Sequence, residues 1–260
     1  MSAKPLTQIV EFLDETLSTS TTPDYPTAFN GLQLSNRGSV TRVAAAVDFS
    51  SQAIKAAIAE DADLLIVHHG MFWSGVQPVV GAGYTRFRQL LDADIAVYSS
   101  HLPLDRHPQL GNNALMAKAL GLESSQGFAR FKDIFIGVQG VCDIATSSLV
   151  ERAQVFSRSN GGEAIATSGI REDQKTRRWA ICTGAGASAE TLAEAAQHGV
   201  DTLIVGEGPH WTAVEAIERG ITVIYLGHYA SETLGVQALA AEVARPFELS
   251  WTNISAPTGL

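Results

Sequence analysis

The chain has 260 residues, 45% of them hydrophobic and 17% charged, with a formal net charge of -9. That length and apolar content suit one large or two smaller domains and exclude a disordered chain, while the acidic balance argues against nucleic acid as a partner. Two cysteines, Cys142 and Cys182, each within an apolar run, do not imply a disulfide framework, and no apolar run approaches the roughly 18 residues that suggest a membrane span.

The N-terminal segment lacks the basic start and unbroken apolar core of a leader. Its Leu6, Ile9, Val10, Leu13 and Leu17 instead recur at helical spacing, as in an amphipathic helix of a soluble, cytoplasmic protein. "STSTTPDYP" (18 to 26) carries turn chemistry and reads as a loop. From there, short Val- and Ile-rich runs alternate with helical patterns. The expected strands are 42–48, 63–68, 95–101, 133–140, 177–184, 201–206 and 221–228. Helices are expected to start near Ser50, Tyr84, Gly111, Ser147, Ser188, Trp211 and Ala230, and "SGIREDQKTRR" (168 to 178) reads as a polar hairpin or connection. Such alternation predicts an α/β fold with mainly parallel sheets.

An internal repeat organises these elements. Aligned without gaps, "SSQAIKAAIAEDADLLIVHHG" (50 to 70) and "SAETLAEAAQHGVDTLIVGEG" (188 to 208) are identical at Ser50/Ser188, Ala57/Ala195, Asp63/Asp201, Leu65/Leu203, Ile66/Ile204, Val67/Val205 and Gly70/Gly208. Two related α/β half-domains follow, residues 1–125 and 126–260, with the C-terminal helix free to pack back on the first half.

The polar residues then fall at comparable places. The first half has His68 and His69 at one strand end and His101, shortly before Asp105, at the next; the second has Glu207 and His210 after one strand and His228, four residues before Glu232, at the next. Strand C-termini are where open α/β sheets place ligands, so facing halves could converge these groups on one cleft. Imidazole and carboxylate are ligands for zinc, iron and manganese, and a carboxylate commonly bridges a pair of such ions. Neighbouring strand residues point to opposite faces, so His68 and His69 serve one ion pair only where the strand gives way at Gly70, each reaching a separate ion. His107 and His198 are isolated and carry no assigned role. The glycine clusters "VVGAGYTRF" (79 to 87) and "TGAGAS" (183 to 188) lack a full dinucleotide or P-loop pattern and read as turns.

"FNGLQL", "IVHHGMFW", "SSHLPLDRHPQLGNN", "VDTLIVGEGPHW" and "YLGHYASETLGVQAL" resemble, in order and from about Leu6 to Phe247, the Nif-three-like family, also called GTP cyclohydrolase I type 2, in its short form without an inserted domain. The resemblance implies two α/β halves flanking a dinuclear metal cleft, two divalent ions and a ring-like homohexamer. It implies that His68 and His69 bind one ion each, with His228 joining His68, Asp105 joining His69, and Glu232 bridging. His101, Glu207 and His210 are left as candidate catalytic groups, with hydrogen-bonded support of the ligands as their alternative.

The resulting functional expectation is a metal-dependent hydrolase acting on a small molecule, with a purine nucleotide whose imidazole ring is opened with formate release as the substrate the family name implies. A phosphoesterase on a nucleotide or small phosphate ester needs the same ligands, and a metal-stabilised ring acting as a regulator or scaffold needs no turnover.

Overall fold

Runs of Val, Ile and Ala too short for helices and buried on both faces become parallel strands, and the amphipathic segments between them become the covering helices. In the computed structural model, which describes residues 2–259, the chain forms two α/β units, one comprising Met1–Leu104 and Gly235–Ala256, the other Asp105–Leu234 and Pro257–Leu260.

The first unit holds a five-stranded sheet in the order Ser250–Asn253, Arg42–Asp48, Leu64–His69, Ala96–Ser99, Gly31–Leu34. All neighbours are parallel except the last pair. One face packs Ala44, Ala46, Leu65, Val67 and Val97 against Ile54, Ala57 and Leu90 of the helices Ser51–Ala59 and Gly81–Ala93. The alternate residues Val43, Ala45, Leu64 and Ile66 are also buried. The N-terminal helix Leu6–Leu17 buries Leu6, Ile9, Leu13 and Leu17, as its spacing predicts, and Phe12 meets Phe247 of the helix Thr233–Phe247 edge to face.

The second unit holds six strands in the order Gln126–Phe131, Ile134–Ala145, Lys175–Cys182, Thr202–Val205, Thr222–Tyr225, Ile165–Ala166. Its third to fifth strands are mutually parallel, and the flanking pairs are antiparallel. Alternation along Lys175–Cys182 sends Ala180 and Cys182 to one core, with Leu192, Leu203 and Ala216, and Trp179 and Ile181 to the other, with Met116, Leu149 and Ile204. The polar connection expected over 168–178 is shorter than predicted: from Lys175 onward it is strand, paired with Ala145 and Ile144 and shifted in register between Thr176 and Arg178. Both cysteines are free thiols. Among the described residues no helix is long and apolar enough to cross a membrane.

The sequence repeat has a physical meaning. Ser50 and Ser188 each accept a hydrogen bond from the backbone N–H three residues on and so cap the helices Ser51–Ala59 and Ala189–Gln197. Asp63 accepts from Thr41 N, Thr41 Oγ1 and Arg42 N, tying down the start of the adjacent strand. Asp201 accepts from Arg177 N and Arg178 N, at the register shift within the strand Lys175–Cys182, and also from the Thr202 hydroxyl. Gly70 and Gly208 follow the paired strands at points with no room for a Cβ, against Gln33 and Ser99 in one unit and Ala187 in the other. Replacing Asp63 by Ala therefore leaves part-buried donors at a strand start without an acceptor and should cost about 2 to 4 kcal/mol, whereas Asp201→Ala, whose partner N–H groups can turn to water, should cost about 1 to 2 kcal/mol. Asp143→Ala, which removes only exposed ion pairs with Lys175 and Arg177, should cost about 1 kcal/mol or less. Denaturant unfolding of the three variants checks the ranking; equal costs would show that these carboxylates do not anchor the sheets.

Candidate metal centre

In the first unit the parallel register carries Leu64–His69 to its end beside the last residue of the neighbouring strand, Asp48. His68 and His69 are both within the strand and both buried, and the chain breaks away at Gly70. His68 Nδ1 donates to the Ser100 carbonyl at 2.8 Å. His69 Nδ1 donates to Asp48 Oδ1 at 2.8 Å. His101, just past the strand Ala96–Ser99, donates from Nδ1 to Asp24 Oδ1 at 2.8 Å. Carbonyl and carboxylate oxygens only accept, so each neutral ring carries its proton on Nδ1 and its lone pair on Nε2. The three rings lie 4.8 to 5.7 Å apart between centroids, and each offers a ligating nitrogen within 4.8 Å of the others.

The carboxylates and amides behind these rings come from distant places. Asp24 also accepts from Leu102 N, Tyr25 N and Asn30 Nδ2. Burial alone would push its carboxyl up; the His101 ring, then Asn30 and the Tyr25 N–H, outweigh that and hold it below its ordinary value. Asn30 also accepts from the His101 N–H at 2.7 Å. Gln33 accepts from Met71 N and donates to the Ala28 and Phe29 carbonyls, fixing the chain just after the His doublet. The "FNGLQL" motif is thus a brace. Trp73 closes one side, its ring 4.7 Å from that of His69 and 4.5 Å from that of His101.

In the second unit His228 starts a single helical turn, His228–Ser231, directly followed by Glu232. His228 Nδ1 donates to Glu207 Oε1 at 2.7 Å, and its Nε2 lies 3.3 Å from Glu232 Oε2. Glu207 is set by the "TGAGAS" turn: its N–H donates to the Gly184 carbonyl, and its carbonyl accepts from Ala187 N. Gly184 N in turn donates to Ser231 Oγ, so this turn spends its polar groups on positioning. Asp105 is buried and accepts from Asn112 Nδ2 at 2.9 Å, while Asn113 reaches the Thr183 N–H and the Ile136 carbonyl. His210 is exposed at the first residue of the helix His210–Glu218 and is not drawn into this cluster by any hydrogen bond among the described residues.

These donors fit divalent transition ions. Imidazole nitrogen and carboxylate oxygen suit zinc, manganese and iron alike. Asp105 and Glu232 are buried acids, and burying carboxylates without positive charge is costly. Buried Cys182 registers their field: desolvation first, then Asp105, Glu232 and Glu194, push its thiol up, so it remains protonated at neutral pH. Without a metal, a proton supplies part of the missing charge. Burial alone would push His228 down, but Glu232 and then Glu207 outweigh it and raise the ring to about 9.

Of the residues singled out from sequence, His68, His69 and His101 meet in the first unit, and Glu207, His228 and Glu232 in the second. Sequence reasoning missed Asp24 and Asp48. Asp48 had a usable signal, as an acid ending a parallel strand; Asp24 sits in the loop "STSTTPDYP" and had none.

The family model for Duf34/NIF3 (NGG1p interacting factor 3) matches residues 5–257. A Deinococcus radiodurans protein named GTP cyclohydrolase 1 type 2 homolog is 38% identical over 255 residues, covering 97% of this chain and 94% of its own. A Pyrococcus abyssi protein of the same name is 39% identical over 257 residues, covering 97% and 98%. Among solved structures, the ybgI protein, of unknown function, superposes with a TM-score of 0.88 at 31% identity, covering 99% of this chain and 100% of its own. A Thermus thermophilus protein gives 0.81 at 31%, covering 99% and 100%.

In metal-free protein, an NMR titration of the His228 ring should give a midpoint of about 9, lowered in Glu207→Gln; a midpoint at the ordinary imidazole value would contradict this arrangement. The raised value means that the protonated ring stabilises the fold fully below the unfolded midpoint near 6.5, and that this contribution is lost as pH rises through about 9.

Proposed function

The chain belongs to the Duf34/NIF3 family, and from that premise we propose that it is a dinuclear metal-dependent hydrolase of a small molecule, with His68, His69, Asp105, His228 and Glu232 holding two divalent ions. One observation carries the proposal: His68, His69 and His228, the three histidines assigned as ligands, all have Nδ1 tied to an oxygen acceptor. Structural histidines have no need of this uniformity, whereas metal ligation through Nε2 does. Bound ions would polarise the bond attacked and make water acidic enough to attack it near neutral pH.

The chain's own groups divide the remaining work. Asp48 and Glu207 orient His69 and His228 and keep their Nδ1 protonated. Asp24, ionised and buried, does the same for His101 and supplies the negative charge that balances a proton taken up on its Nε2. His101 is thereby suited to carry a proton to or from the reacting group, in the manner of an Asp-His dyad. Trp73 excludes water from one side of the rings.

The substrate reading follows the relatives' name: a purine nucleotide opened at its imidazole ring with release of formate. The ring-like homohexamer and the cytoplasmic location belong to the same proposal.

Elemental analysis after loading with zinc, manganese or iron should find up to two ions per chain, reduced in Glu232→Gln. No bound metal would overturn the proposal. His101→Ala should keep its ions and lose turnover by roughly 10²-fold or more; loss of the ions would make His101 a ligand instead. Product analysis with GTP separates the reactions, since formate marks ring opening and free phosphate marks phosphoester cleavage.

A further inference from the structure

Beside His69 the first unit has a partly open cavity of about 320 Å³. It is walled by the segment that follows the His doublet and by the start of the helix Gly81–Ala93. Phe49, Phe72, Trp73 and Phe87 line it, and among the described residues Arg86 is the single arginine or lysine on its wall. Volumes of this order take small organic ligands, and rings on several sides favour a flat one.

Arg86 is held at the wall in an unusual way. It is half-buried, and its Nε is buried and meets no hydrogen-bond acceptor among the described residues. Its guanidinium carbon lies 5.8 Å from the centre of the Phe49 ring, a contact that orients the cation without satisfying its N–H donors. Arg88, two residues on, is paired with Asp92 at 2.7 Å. Among the described residues the one acid on the cavity wall, Asp48, is engaged by His69 at 2.8 Å. In a chain with 27 acidic and 18 basic residues, an arginine held at a cavity wall without a carboxylate partner is conspicuous. Removing guanidinium donors from water without an acceptor is costly, and a planar fork of donors matches a phosphate or carboxylate.

We propose that this cavity is the recognition pocket for the substrate of the metal centre, and that it selects an aromatic anion, a flat ring carrying a phosphate or carboxylate, with Arg86 binding the anionic group and Phe49, Phe72 and Phe87 flanking the ring. Calling it a substrate pocket rests on the hydrolase reading; the binding chemistry does not. His69 belongs both to the pocket wall and to the three-histidine cluster, so a ligand seated here lies next to the proposed ions. Trp73 is shared in the same way, touching His69 and His101 while lining the cavity.

The test is calorimetric titration of metal-stripped and zinc-loaded protein with phenyl phosphate, phenol and inorganic phosphate. Phenyl phosphate should bind the metal-stripped protein at least about 10-fold more tightly than either fragment, because only it engages both the rings and Arg86. Arg86→Gln should weaken phenyl phosphate by about 10-fold or more with zinc content and melting temperature unchanged, and Arg86→Lys should recover part of the loss. Inorganic phosphate binding as tightly as phenyl phosphate, or Arg86→Gln binding as tightly as the parent protein, would overturn the proposal. The comparison of probes needs no variant, so it decides even if Arg86→Gln does not fold. Elemental analysis of the same samples keeps the two readings apart. A protein that takes up no zinc yet binds phenyl phosphate through Arg86 defeats the metal centre and leaves the pocket standing; one that takes up two zinc ions and fails with phenyl phosphate does the reverse.

Discussion

The hydrogen bond from an imidazole Nδ1 to a fixed oxygen is the interaction on which the account turns. It does two things at once. It selects the tautomer whose lone pair sits on Nε2, and it locks the ring plane, so that a histidine at a strand end becomes an aimed donor rather than a mobile one. The acceptors are themselves fixed by the fold: Asp48 by the register of its strand against Leu64–His69, Asp24 by three further donors, Glu207 by the Gly184 turn, and the Ser100 carbonyl by the strand end it follows. The long covalent distance between each ring and its acceptor makes the geometry a property of the folded sheets.

Both units solve the same construction problem in one way. A serine caps the helix, small and branched residues bury it, an aspartate ties down the neighbouring strand, and a glycine lets the chain leave the sheet where a side chain would collide. At the equivalent of His69 the second unit has Glu207, which supports His228 in place of offering an imidazole of its own. The repeat therefore supplies two sheet ends of similar form and different chemistry, one rich in imidazole and one in carboxylate.

Much of this was legible in the sequence, and the reasons differ by element. Arg42–Asp48 and Leu64–His69 were readable because central parallel strands are continuous apolar runs. The strands Gly31–Leu34 and Ser250–Asn253 were not, because they lie at sheet edges, are short, and alternate polar with apolar residues. Gln126–Phe131 escaped because it is an edge strand whose burial follows neither a continuous nor an alternating pattern. The histidines and acids at strand ends stood out through their place in the repeat. Asp24 and the amide roles of Asn30, Gln33 and Asn113 did not, since a partner tens of residues away leaves no periodic trace. Arg86 was hidden inside an ordinary amphipathic helix, where only the missing acceptor, visible in three dimensions, distinguishes it from Arg88.

The most direct measurement is anomalous diffraction from crystals of the protein grown with zinc or manganese, collected on both sides of the metal absorption edge. The proposed dinuclear centre predicts two peaks per chain, separated by about 3.5 to 4 Å, with His68, His69 and His228 coordinating through Nε2 and Glu232 lying between the ions. A single peak, peaks remote from these side chains, or coordination through Nδ1 with the bonds to Asp48 and Glu207 broken would contradict it.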